Sequence, residues 1–102
     1  MQLRLKEWFE YNFPKGTASQ QLIGMTEELG ELAHAHLKFE QGIRGNSVEL
    51  LEQGKDAIAD LFIFAMNYCT LKGWKIEELL ESTFNKIIKR DWRTYPKDGL
   101  TH

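Results

Sequence analysis

Residues 18–41 read ASQQLIGMTEELGELAHAHLKFEQ. Leu22, Met25, Leu29, Leu32, Ala33 and His36 recur at the three- and four-residue steps of one helix face. The segment is therefore predicted to be a long amphipathic helix with that stripe turned to the core. Thr17 or Ser19 supplies an N-cap, and Gly42 closes the helix. Gly24 and Gly30 each cost about 1 kcal/mol against alanine inside a helix. Close packing of a neighbouring helix is the expected reason for both.

Working outward, Leu5, Trp8, Phe9 and Phe13 predict a short first helix over residues 3–13, ended by Pro14 and Gly16. On the other side, GIRGNS (42–47) is turn-rich. Ser47 is the predicted N-cap of a third helix that runs to Lys72 and stops at Gly73. Its middle, LFIFAM (61–66), is apolar on every side, which places it centrally in the fold or between subunits. A fourth helix is predicted from Ile76 to Asp91, with a stripe of Ile76, Leu79, Leu80, Phe84, Ile87 and Ile88. Turns follow at Pro96 and at Asp98-Gly99. No strand pattern competes, so the expected class is all-α, as one domain over residues 1–102.

Composition narrows the function classes. With 42% hydrophobic and 27% charged residues, wholesale disorder is excluded. Cys69 is the only cysteine, so no internal disulfide exists, and a reducing, cytoplasmic setting is expected. A net charge of −2 argues against a nucleic-acid partner. The apolar run 61–66 is far below the ~20 residues of a membrane span, and residues 1–13 do not resemble a signal peptide.

Two acidic groups carry the chemistry. Glu27, Glu28 and Glu31 crowd one side of a helix with no Lys or Arg within a turn. Such a cluster is either a solvated acidic face or a cation site. Asp56 and Asp60 lie four apart, and Asp60 directly precedes LFIFAM. An ionised Asp buried there costs several kcal/mol unless it is paired or binds a metal. The stripe Asp56, Asp60, Ile63, Asn67 carries three polar groups at helical spacing. Two acidic helices face to face would hold hard cations such as Mg²⁺. Glu31 and His34 form a single E-x-x-H, whereas di-iron bundles need two. His34 and His36 are accordingly read as structural, and His102 is terminal. Lys86, Lys89, Arg90, Arg93 and Lys97 either complement a helix C-terminus or clamp phosphate. Trp8, Phe9, Tyr11, Trp92 and Tyr95 either pack or stack on a base.

Glu27-Glu28-Leu29-Gly30-Glu31-Leu32-Ala33, then Lys55-Asp56-Ala57-Ile58-Ala59-Asp60, then the basic run from Asn85 to Pro96, resembles the MazG-like all-α nucleoside triphosphate pyrophosphohydrolases. The likeness is to the short single-domain bacterial and phage type and covers Ala18 to Pro96. That family's E-E-x-x-E is present, but its E-x-x-D reads Ala57-Ile58-Ala59-Asp60 here, with the nearest acid at Asp56. The resemblance implies a four-helix bundle completed by oligomerisation, as a homodimer or homotetramer, with a site drawing on more than one chain. It implies Mg²⁺-dependent hydrolysis (or Mn²⁺) of a nucleoside triphosphate to the monophosphate and pyrophosphate, in nucleotide house-cleaning. Glu28, Glu31, Asp56 and Asp60 would be the metal ligands, and Glu27, Glu28 and Glu31 the catalytic acids. Lys86, Lys89, Arg90, Arg93 and Tyr95 would bind substrate, with Asn67 and Trp8 as further candidates. A phosphoribosyl-ATP pyrophosphatase-like enzyme and a non-catalytic helical interaction module are the alternatives.

Overall fold

A computed structural model describes residues 1–101; His102 lies outside them. These residues form four helices and no strand: α1 (Gln2–Asn12), α2 (Ala18–Gln41), α3 (Ser47–Lys72) and α4 (Ile76–Ile87). The caps explain the boundaries. The Thr17 hydroxyl accepts from the Gln20 amide at 3.2 Å while the Gln20 side chain accepts from the Thr17 amide at 3.1 Å. This reciprocal box satisfies two donors that a helix start leaves orphaned. Gly42 and Gly73 close α2 and α3 at φ 69° and 76°, in the left-handed region that glycine enters without strain.

Two boundaries depart from the sequence expectation. The N-cap of α3 is Asn46 rather than Ser47, since the Asn46 side chain accepts from the Glu49 amide at 2.8 Å. α4 ends at Ile87 rather than Asp91. The Asp91 amide donates instead to the Gly99 carbonyl at 2.7 Å, which folds the tail back on itself. Hydrogen bonds from Thr94 hold the Asp91 carboxyl below its usual range and fix this turn.

α2 and α3, joined by the loop 42–46, form an antiparallel hairpin. Asn67 donates to Gln21 at one end, the Phe64 ring sits over Gly24, and Leu32 lies against Gly54 toward the other. A Cβ on Gly24 would stand 2.5 Å from the Phe64 ring. Gly24 is thus the close-packing position its place in the helix suggested. Gly30 is not, because nothing lies within 4 Å of its missing Cβ.

The face that α2 turns to α3 is also not the expected one. It buries Gln21, Gly24, Glu28 and Ala35. The predicted core stripe lies round the helix from it, with Leu22 50% and Leu29 56% exposed. Gly24 and Ala35 are small, and the Phe64 ring of α3 fills the space over Gly24, so close packing at these positions sets the contact line. In α3, Leu50, Ala57, Asn67 and Cys69 are buried, while LFIFAM is only half-buried, with Phe62 exposed. α4 buries no residue, so Leu79, Leu80, Phe84, Ile87 and Ile88 stand open.

α1 is tied to the far end of the hairpin by Gln2. Its side-chain amide donates to the Thr70 hydroxyl at 3.1 Å and to the Trp74 carbonyl at 2.8 Å. Its side-chain oxygen accepts from the Ile76 amide at 2.8 Å, at the first turn of α4, where the N-cap Lys75 offers no side-chain cap. Gln2→Ala is expected to release this turn at a cost of about 1–2 kcal/mol. Hydrogen exchange of the first α4 amides should then speed up roughly 5–30-fold, with α2 unaffected.

The whole is extended. The radius of gyration is 17.8 Å, against about 13 Å for a compact chain of this length. The accessible surface is 8230 Å², roughly 2,000 Å² above that of a compact monomer of this mass. Among the described residues, no helix is long and apolar enough to cross a membrane.

Candidate functional site

The hairpin positions the acidic residues. Residues one step round α2 from the buried line, Glu27, Gly30, Glu31 and His34, meet Gln53, Asp56, Ala57 and Asp60 of α3 across a cavity of about 530 Å³. The sequence expectation that both acidic helices face each other is met in this respect. The expectation of a buried Asp60 is not: Asp60 and Asp56 are both exposed on the cavity side of α3. Ala57, at the place of the missing glutamate, is 2% exposed and packs into the hairpin.

The buried acid is Glu28. Glu27, Glu28 and Glu31 bring one carboxylate oxygen each to within 4.8 Å of one another. Glu28 is only 9% exposed, and its Oε2 is buried without a hydrogen-bond partner. Partial desolvation, a hydrogen bond with Glu31 and the charges of Glu31, Asp60 and Glu27 all raise the Glu28 pKa. Two remedies exist for such a group: a proton, or a cation shared with its neighbours. No ion pair among the described residues involves any acid of the cavity.

This has a measurable consequence. A carboxyl whose pKa is raised by folding stabilises the fold fully below its ordinary value of 4.5, and loses that contribution as pH rises through the raised value. Glu28→Gln in metal-free buffer is therefore expected to melt higher than the wild type at pH 7, with the difference shrinking toward pH 4.5. Melting curves of both proteins across that range check it. A variant that melts lower at pH 7 would mean that the charge is already compensated.

The other site candidates lie elsewhere in the single chain. The cavity takes no residue from α1, α4 or the tail. Lys86, Lys89, Arg93 and Lys97 are exposed and take no part in the ion pairs found. The Arg90 guanidinium donates to the Asp98 carbonyl and lies 5.7 Å from the Trp92 ring centre, so it holds the tail. Tyr95 is half-buried in the same turn. Asn67 is 4% exposed and spends its amide on Gln21. Trp8 packs edge-on to Phe13 at 5.7 Å. His36 pairs with Glu40 at 3.0 Å on the outside.

His34, Gly30 and Gln53 join the cavity although the sequence reading gave them no part in it. Their signal was spacing: each sits three or four residues from Glu27, Glu31 or Asp56 on the same flank. Compared with known proteins, the chain matches no family model, no curated protein and no solved structure.

Proposed function

We propose that the chain is a divalent-cation-dependent nucleoside triphosphate pyrophosphohydrolase of the MazG-like type, acting as a homo-oligomer. The observation that carries this reading is Glu28: a buried carboxylate oxygen without a partner, beside Glu27 and Glu31 and across from Asp60. An all-oxygen donor set of this kind suits Mg²⁺ or Mn²⁺. Glu28, Glu31 and Asp60 would hold the cation, with Asp56 lining the same cavity. When bound, it would neutralise polyphosphate charge and acidify a water. Glu27 is exposed beside them, free to accept the proton of that water. Lys86, Lys89 and Arg93 are charge-assisted donors suited to phosphate oxygens. Since they line no part of the cavity in one chain, they would serve the site of a second copy.

The test is pyrophosphate release from a panel of canonical and modified nucleoside triphosphates with Mg²⁺, with phosphoribosyl-ATP included. Release from nucleoside triphosphates supports the proposal. Activity on phosphoribosyl-ATP alone selects the related pyrophosphatase. Release from none removes the enzyme reading and leaves an interaction module.

A further inference from the structure

The Glu31-x-x-His34 motif has its histidine unused by the functional reading above. The register of the hairpin places it. Gln21 meets Asn67, Gly24 meets Phe64 and Leu32 meets Gly54, so each step forward on α2 answers one step back on α3. Glu28 is then level with Asp60, Glu31 with Asp56 and Ala57, and His34 with Gln53. The cavity therefore has two ends. Glu27, Glu28 and Asp60 gather at one, and Glu31, His34, Gln53 and Asp56 line the other, toward the 42–46 loop. Between them, Ala57 stops at its Cβ and offers no donor. His36 spends its ring on Glu40 at 3.0 Å, outside the cavity. His34 instead lines the cavity and has no hydrogen bond or ion pair among the described residues.

We propose that His34 is a nitrogen ligand to a cation held with Glu31 and Asp56 at the loop end of the cavity, and that it biases this position toward a transition-metal dication over Mg²⁺. The proposal rests on the reading of the cavity as a cation site. For that reading the buried, unpartnered Glu28 Oε2 is an observation independent of the acidic cluster. Residues three apart are neighbours on a helix surface, so the Glu31 carboxylate and the His34 imidazole can serve one ion. Asp56 faces them from α3. The donor set decides which ion. Mg²⁺ takes oxygen ligands and keeps its waters, whereas imidazole suits Zn²⁺ and Ni²⁺. At this end one of three donors is a neutral nitrogen, and Ala57 leaves the wall without a further carboxylate. Both changes disfavour Mg²⁺ more than Zn²⁺. Glu31 stands between the two ends, about one helical turn or 5.4 Å from each of Glu27 and His34 along the axis. That is the scale of the ~3.5–4 Å that separates the ions of paired metal sites, so its two oxygens can serve both ends.

Nitrogen spectroscopy and calorimetry test this together, with Zn²⁺ and Mg²⁺ as the probes. Replacing His36 and His102 with Gln leaves His34 as the last of the chain's 3 histidines. The ring ¹⁵N resonances of that protein report on His34 alone. Stoichiometric Zn²⁺ should shift one ring nitrogen into the metal-bound range, and excess Mg²⁺ should not. His34→Gln should weaken Zn²⁺ binding roughly tenfold or more, and Mg²⁺ binding by less than about threefold. His34 is exposed and holds no partner, so circular dichroism of this variant should be unchanged. Glu31→Gln and Asp56→Asn should each raise the Zn²⁺ concentration needed for the ring shift. A ring that Zn²⁺ leaves unmoved, or an unchanged Zn²⁺ affinity in His34→Gln, overturns His34 as a ligand. A ring shift indifferent to both carboxylate substitutions is binding to a lone surface imidazole, and overturns the shared position. Neither result touches the Glu28 end of the cavity. That reading is checked by Mg²⁺ binding to the wild type, its loss in Glu28→Gln and pyrophosphate release, so the two fail separately.

Discussion

Asp60→Asn and Glu31→Gln are each expected to lower pyrophosphate release roughly 100-fold or more, with helical content and solution mass unchanged. Both substitutions keep the shape of the side chain and remove its charge. Both side chains are exposed on the cavity wall, and neither takes part in an ion pair that folding depends on. Their acidity serves no packing purpose, so the loss should fall on chemistry rather than stability. It should also appear mainly in kcat and in the cation concentration needed for half-maximal rate. Lys86→Ala should instead raise KM for the nucleotide, because its charge would meet the substrate before and during the reaction alike. Circular dichroism and steady-state kinetics on purified variants separate these outcomes. Either carboxylate variant retaining activity within a factor of a few would remove it from the proposed cation site.

The second large effect is a contrast between two glycines on one helix. Gly24→Val is expected to destabilise the protein by about 3 kcal/mol, at the upper end of the cost of overpacking. Already its Cβ would stand 2.5–2.8 Å from three atoms of the Phe64 ring, and valine adds two methyl groups. The Asn67–Gln21 hydrogen bond a turn further on holds α3 in register against α2, so the helix that carries the ring does not readily back away. Gly30→Ala meets nothing within 4 Å. It should gain roughly the 1 kcal/mol by which alanine is favoured in a helix. Against a typical total of about 5–15 kcal/mol, the first change is a substantial fraction of the stability. Urea melts of the two variants beside the wild type measure both signs. Equal behaviour would mean that the Phe64 contact does not set the hairpin distance.

The same two glycines mark how far the sequence could be read. Helix starts and stops depend on local chemistry, and Thr17, Gly42 and Gly73 announced them correctly. Asn46 took the cap from Ser47 because both residue types can do so, and only backbone geometry decides between neighbours. The end of α4 was misplaced because the tail competes for the Asp91 amide, a contact eight residues away that helical periodicity does not encode. The orientation of α2 was missed for a deeper reason. Periodicity finds the most apolar face, but α2 is buried along Gln21, Gly24, Glu28 and Ala35, where Gly24 admits the Phe64 ring of α3. Once that face is chosen, Glu28 turns inward, and Asp60 turns outward, the reverse of what the apolar run beside Asp60 suggested. The acidic partners themselves were legible, because three- and four-residue spacing fixes a flank whichever way the helix is rotated. The basic end was legible as a cluster, but the single chain keeps it apart from the acidic cavity, since α4 buries no residue against the hairpin.

The Gln2 latch bears on the order in which the chain can assemble. The partners of Gln2 (Thr70, Trp74 and Ile76) lie 68, 72 and 74 positions further along the chain. The hairpin needs a shorter loop: Asn67 finds Gln21 over a separation of 46. Closing the longer loop gives up more chain entropy for two or three polar contacts at a partly wet site. The hairpin should thus be in place first, with α1 and the start of α4 locking together across its end afterwards.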